Sequence, residues 1–263
     1  LGALYVLSYL EANTTGHEFF FKDCIAEGLS YEKIEEYLKE VKPDIVGITS
    51  FTVCLVDVCK TARLVRKMFP DAHICLGGHH PIAYPELAAE LPEFDSIVVG
   101  EGEEVFTELV NCLEKKEDFT HIRGVYTAES IKPHLATPIR DKRFLARVSV
   151  PAAYIDDIDS LPMVDRKWIR HYRYRNIVGA SNNLVTILSS RGCPYKCTFC
   201  DVPIKSYRQR SHESVVDEIE SCLKMGYNEF RFYDDLFNVN EKKIFGFCDE
   251  LERRGLKITW DFR

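Results

Sequence analysis

Hydrophobic positions recur every three to four residues in some stretches of the chain and form short unbroken runs in others. The two kinds alternate. Residues 2–12 predict a helix with Leu4, Leu7 and Leu10 on one face, and Gly16 closes the turn after it. Residues 17–23 (HEFFFKD) predict a short aromatic strand. Ser30 is placed to cap a helix carrying Ile34, Tyr37, Leu38 and Val41. The continuous run 45–49 (IVGIT) predicts a parallel strand buried on both faces. A helix to about residue 69, a strand over 73–76, a loop over 77–81 and a helix over 85–91 follow. A strand over 96–99 and a helix to about residue 114 complete this part. Strands separated by helices in this way predict βαβ units and a doubly wound parallel sheet with ligand-binding strand ends.

Three of those strand ends are rich in Gly, Ser, Thr or His: Ser50-Phe51-Thr52, Gly77 to His80, and Gly100 to Gly102. Each alone reads as a tight turn; three on one edge predict a ligand site. From about residue 117 to 183 the pattern weakens. A strand is expected over 124–127, and Pro133, Pro138, Pro151 and Pro162 punctuate the rest. The arginine-rich run from Arg166 to Arg175 reads either as an anion-binding patch or as a solvated connector. This region is expected to link residues 1–116 to a second domain over 184–263. There the alternation resumes as strand (184–188), helix (211–226), strand (229–235), helix (to Gly255) and strand (257–262), the beginning of a barrel whose functional face is its carboxyl edge.

The chain has 263 residues, 46% hydrophobic and 29% charged, which is a globular balance. Its formal net charge of -7 offers no broadly basic surface, so no nucleic-acid partner is expected. No run approaches the length of a membrane span, and the first residues lack the features of a signal peptide. Seven of the ten cysteines (Cys24, Cys54, Cys59, Cys75, Cys112, Cys222 and Cys248) lie in apolar periodic segments, as small buried hydrophobes do. The expectation is a reducing, cytoplasmic setting.

Cys193, Cys197 and Cys200 are different, since they crowd into one loop after an apolar strand. Three thiolates from one loop can converge on one metal centre. A four-iron cluster normally takes four cysteines, so three leave one iron open. A three-cysteine zinc site completed by a histidine such as His212 is the alternative, and buried spectator thiols are the plainest one.

The CxxxCxxC spacing, with Phe199 before its last cysteine, resembles the signature of the radical S-adenosylmethionine (SAM) superfamily. The resemblance implies a [4Fe–4S] cluster on Cys193, Cys197 and Cys200, SAM chelating the open iron, and Phe199 near the adenine. It implies reductive cleavage of SAM to methionine and a 5′-deoxyadenosyl radical, with a donor such as flavodoxin or ferredoxin. Tyr233-Asp234-Asp235-Leu236-Phe237 stands where many members carry Gly-Gly-Glu and resembles the Asp-Asp-x-Phe variant of the cobalamin-dependent branch. One of Asp234 and Asp235 would then accept from the SAM ammonium; the plainer reading is a helix cap.

A doubly wound domain ahead of such a half-barrel, with Gly16-His17-Glu18, Lys42-Pro43-Asp44, Gly77-Gly78-His79-His80-Pro81 and Val99-Gly100-Glu101-Gly102, is similar to the cobalamin (B12)-binding radical SAM family. Its members include methyltransferases and anaerobic magnesium-protoporphyrin monomethyl ester cyclases. The resemblance implies an α/β fold: a cobalamin-binding-like domain followed by the first half of a (β/α)6 partial barrel. Ser50, Thr52, Gly77, Gly78, His79 and Gly102 would line the corrin, and the substrate would be a small molecule. No Asp-x-His-x-x-Gly motif is present. Asp71-Ala72-His73 followed by Gly77 has the wrong spacing, and His73 reads as structural. Both ends of the chain look truncated against the family. Two alternatives stand beside this reading: a non-catalytic iron–sulfur or zinc module, and radical SAM chemistry without cobalamin.

Overall fold

The computed structural model describes residues 1–135, 150–172, 174, 183–200 and 206–262. They form two compact units: Tyr9–Ile155 with Gly2, and the chain from Asp156 onward with Leu1 and Ala3–Ser8.

Helices α1 (Gly2–Asn13), α2 (Cys24–Glu27) and α3 (Tyr31–Val41) open the chain. Ser30 caps α3 by accepting from the Lys33 amide. Then come β1 (Ile45–Thr49), a 3-10 turn (Thr52–Cys54), α4 (Leu55–Met68) and β2 (His73–Gly77). Next are α5 (His79–Ala83), α6 (Pro85–Ala89), β3 (Ser96–Val98), α7 (Gly102–Lys115), β4 (Val125–Tyr126) and α8 (Lys132–Leu135). The strands form one sheet in the order β1-β2-β3-β4, the first three parallel and β4 antiparallel to β3.

Side chains alternate across this sheet, and both faces are covered. Ile74 of β2 meets α3 and α4 through Ile34, Leu38, Ala62 and Val65. Leu76 and Ile97 pack with Val58, Ala88 and Ala89. On the opposite face Cys75 and Val98 meet Val105, Leu109 and Cys112 of α7. A Cβ at Gly47 would stand 3.1 Å from the Phe106 ring, so glycine lets α7 approach β1 closely.

Three sequence expectations are corrected here. The strand expected over 17–23 joins no sheet, although residues 17–21 alternate between half-buried and exposed. The run 45–49 is not buried on both faces: β1 lies at the edge of the sheet with Gly47 and Thr49 exposed, and β2 is the enclosed strand. The loop expected over 77–81 becomes helical at His79.

The expected linker also divides. Residues up to 135 and from 150 to 155 belong to the first unit. Residues 150–155 are sewn to the end of β3: Ala153 N donates to Val99 O at 3.1 Å, Glu101 N to Ala153 O at 2.9 Å, and the Tyr126 hydroxyl to Pro151 O at 2.6 Å. Pro138, Arg173 and Arg175 lie outside the described residues.

In the second unit a 3-10 turn (Arg166–Ile169) precedes β5 (Leu184–Ile187), β6 (Ser190–Arg191), β7 (Arg208–Gln209), α9 (His212–Lys224), β8 (Glu229–Phe232), α10 (Glu241–Arg253) and β9 (Thr259–Phe262). Strands β5, β8 and β9 are parallel and adjacent in that order. Phe230, Phe232, Phe237, Phe247 and Val216 fill the space between strands and helices, and Trp260 packs edge-on against Phe232 at 5.7 Å. The short antiparallel pair β6–β7, not foreseen from the sequence, brackets the cysteine loop.

Arg166 is neither surface patch nor solvated connector. It is buried and donates to Thr186 O at 2.8 Å and to Glu218 at 2.5 Å. Glu218 also accepts from Arg210, whose guanidinium bonds Leu188 O at 2.9 Å and the Tyr5 hydroxyl of α1 at 3.3 Å. Burial works against both guanidinium charges, but the groups around them, Glu218 foremost, together hold both pKa values above the ordinary arginine value.

Candidate functional site

The carboxyl edge of the first unit is drawn together by backbone bonds between the ends of β1 and β2. Ser50 N donates to Gly77 O at 2.9 Å, and His80 N donates to Ser50 O at 2.9 Å. Gly78 has φ +90, and a Cβ there would stand 2.5 Å from Thr49 Oγ1 and 2.8 Å from Ser50 N. Only glycine allows this left-handed, touching arrangement. Ser50 is buried and its hydroxyl donates to Phe51 O at 2.9 Å, so it holds the turn from within.

Gly77 faces open space, with nothing within 4 Å of where its Cβ would be. Around it the edge leaves apolar surface in water: Phe51 is 59% exposed, Val53 95% and Val56 67%. Phe51 stacks on the His79 ring at 5.6 Å. Thus Ser50, Thr52, Gly77, Gly78 and His79 are brought together, while Gly102 stands at the start of α7 beyond β3. An uncovered apolar shelf bordered by glycine and imidazole fits a broad, largely apolar ligand such as a corrin.

His80 was not singled out in the sequence. It is buried, its Nδ1 shares a 3.0 Å hydrogen bond with Thr52 Oγ1, and its Nε2 has no partner among the described residues. Burial, then the neighbouring His79, lower its pKa. His73 bonds Ser96 Oγ through Nε2 at 2.8 Å and meets the Phe119 ring edge-on, which is the structural role expected of it.

The second unit carries the cysteine loop. All ten cysteines are free thiols. Burial pushes Cys75 up to about 12 and Cys222 up to about 11, which keeps them protonated spectators at neutral pH. In the loop Cys193 is just buried, Cys200 half-buried and Cys197 exposed, with Phe199 89% exposed beside them. A turn ties Cys200 N to Cys197 O at 3.1 Å.

Among the described residues no three His, Cys, Asp or Glu side chains stand close enough to hold one metal ion. Three thiolates repel one another unless a positive centre lies between them, so gathering the sulfurs and binding metal are one process. A loop with one thiol exposed, one half-buried and one just buried, none of them part of a hydrophobic cluster among the described residues, fits that process. His212, the candidate to complete a zinc site, opens α9 with its ring packed against Gly246 of α10.

The two carboxylates after β8 face opposite ways. Asp235 is exposed and accepts from Gly192 N at 2.9 Å, directly ahead of Cys193. Asp234 is turned inward. It accepts from Ser189 N at 2.7 Å, Ser189 Oγ at 2.5 Å, Ser190 Oγ at 2.8 Å and Lys243 Nζ at 2.8 Å. Of the two carboxylates expected to serve the SAM ammonium, Asp234 is committed inside and Asp235 is the outward one. Phe237, three residues on, anchors this turn in the core 4.6 Å from the Phe232 ring. Lys243, Ser189 and Ser190 were missed in the sequence because their partner lies about 45 residues away along the chain for the serines.

Residues 1–110 match the B12 binding domain family. The chain is 31% identical over 97% of its length to the anaerobic magnesium-protoporphyrin IX monomethyl ester cyclase of Rubrivivax gelatinosus, covering 45% of that protein. It is 29% identical over 99% of its length to an uncharacterized methyltransferase of Pyrococcus horikoshii, covering 54% of it. Among solved structures it is similar to the cobalamin-dependent S-adenosylmethionine radical enzyme OxsB, with TM-score 0.76, 21% identity, and coverage of 100% of this chain and 36% of that one. The radical S-adenosylmethionine methyltransferase TsrM of Kitasatospora setae aligns with TM-score 0.71 at 22% identity, over 96% of this chain and 48% of that one. A B12-binding α/β domain followed by a three-stranded parallel sheet is the fold that these likenesses share. Residues 1–110 thus carry a B12 binding domain, the chain as a whole is similar to a cyclase and a methyltransferase, and it spans about half the length of the curated relatives it matches first.

Proposed function

We propose that this chain supplies the cobalamin-binding and cluster-binding parts of a radical SAM enzyme that methylates or cyclises a small-molecule substrate at an unactivated carbon. The observation that carries this is the three-thiol loop, held at the carboxyl edge of parallel strands and preceded by a B12-binding domain. Cys193, Cys197 and Cys200 would hold a [4Fe–4S] cluster. When bound, the cluster supplies the electron that cleaves the sulfonium of SAM, and cobalamin supplies a methyl carrier or a second redox centre.

The chain's own residues bind and orient. Asp235 presents an outward carboxylate to the SAM ammonium while steadying Gly192. Phe199 offers its exposed ring to the adenine. Gly77 and Gly102 let the corrin approach the backbone, Thr52 and His79 border it, and Phe51, Val53 and Val56 cover its apolar surface. Ser50 and Gly78 act one step back, holding the two loops in contact. A donor such as flavodoxin or ferredoxin would deliver the electron. Ten free thiols suit a reducing cytoplasm, and no helix among the described residues is long and apolar enough to cross a membrane.

Anaerobic incubation with iron, sulfide, hydroxocobalamin, SAM and a reductant, followed by mass spectrometry, tests the reading. It is expected to yield 5′-deoxyadenosine, with S-adenosylhomocysteine in addition where methyl transfer operates. Neither product from a chain loaded with iron and sulfide would refute it.

A further inference from the structure

The cysteine loop hangs from a buried ion pair that its spacing does not reveal. Lys243 lies in the first turn of α10, where a cation is disfavoured by the helix dipole. It is nevertheless buried, and its Nζ donates to Asp234 at 2.8 Å and to Ser190 Oγ at 2.9 Å. Its ammonium also lies over the rings of Phe237 at 4.8 Å and Tyr207 at 5.7 Å. Asp234 in turn takes three hydrogen bonds from Ser189 and Ser190. These contacts gather both sides of the loop: Ser189 and Ser190 on its way in, Tyr207 on its way out. The β6–β7 pair, Ser190 with Gln209 and Arg191 with Arg208, closes the same neck.

A lone lysine or aspartate at these positions would cost several kcal/mol of desolvation, so each charge holds the other in place. We infer that Asp234 and Lys243 are positioning residues that fix the neck of the cysteine loop and thereby set how tightly, and in what shape, the three thiolates hold their cluster. The adjacent carboxylates divide the work: Asp234 grips the loop's root, and Asp235 grips Gly192 and faces the ligand. This rests on the cluster assignment made above, but it concerns residues that touch neither iron nor SAM.

The test compares the anaerobically reconstituted wild-type chain with Lys243→Met, Lys243→Arg and the charge-neutral double variant Asp234→Asn with Lys243→Met. The double variant leaves no unpaired buried charge and keeps the question open to measurement if Lys243→Met alone fails to fold. Asp261→Asn, which breaks the Arg231 pair on neighbouring strands away from the loop, is the control. Two quantities are read: the rate at which a chelator strips iron, and the electron paramagnetic resonance signature of the reduced cluster.

Iron loss is expected about tenfold faster in Lys243→Met and in the double variant, the weight of roughly one charge-assisted hydrogen bond, with a shifted signature. Lys243→Arg, which can still reach Asp234, should recover most of the wild-type rate, and Asp261→Asn should match wild type. Wild-type rates and an unshifted signature in the folded double variant would overturn the inference while leaving the cluster assignment intact. A wild-type chain that takes up no iron and sulfide would overturn the assignment itself, and the inference with it.

Discussion

At the scale of single residues, the carboxyl edge of the first unit turns on a glycine and a histidine. Gly78 lets two loops touch at a distance no side chain would tolerate, and the His80 backbone completes that contact. The His80 imidazole is buried with one nitrogen bonded to Thr52. Its folded pKa lies below the ordinary 6.5, first through burial and then through His79. The unfolded chain therefore takes up the proton first as pH falls. The stability this histidine allows is present above the unfolded value and is lost as pH drops towards the folded one. His73 is lowered by burial as well and acts in the same direction. His80→Gln should make the urea midpoint fall less steeply below pH ~6.5 than it does in wild type. Equal slopes in the two proteins would show that His80 titrates as freely folded as unfolded.

At the scale of elements, the second unit is tied by a buried charge cluster that no local pattern announces. Glu218 of α9 accepts from Arg166 of the preceding 3-10 turn and from Arg210 after β7, and each guanidinium also bonds a backbone carbonyl at the end of β5. Glu218→Gln removes the carboxylate that two buried guanidinium groups share and should cost about 3–5 kcal/mol, measured by denaturant unfolding. A loss below roughly 1 kcal/mol, as for an exposed pair, would mean that water reaches the cluster. The helices were legible because their apolar stripe repeats within one element: Ser30 caps α3 as expected, and Ile34 and Leu38 of its expected face are buried. The strands were less so. Whether IVGIT is enclosed depends on what lies beside it, and β1 lies at an edge. The run 17–23 has strand composition and alternation but joins no ladder. A two-residue pair such as β6–β7 is too short to have a period at all.

At the scale of the whole molecule, the chemistry was legible where it is local and hidden where it is not. Cys193, Cys197 and Cys200 announce themselves through spacing within one loop, and the Gly-rich strand ends do so through composition. The seating of Asp234 and Lys243 on Ser189 and Ser190 and the clasp of residues 150–155 at the end of β3 depend on partners distant in sequence. These contacts decide which of two adjacent aspartates is left facing outward. The central claim is that the cysteine loop carries a four-iron cluster with one iron open to SAM. Electron paramagnetic resonance of the reduced, reconstituted chain with and without SAM tests it most directly. The account predicts a [4Fe–4S]+ signal whose g values shift when SAM is added, and whose loss follows from substituting any one of the three cysteines. A signal indifferent to SAM, or zinc bound without sulfide, would contradict it.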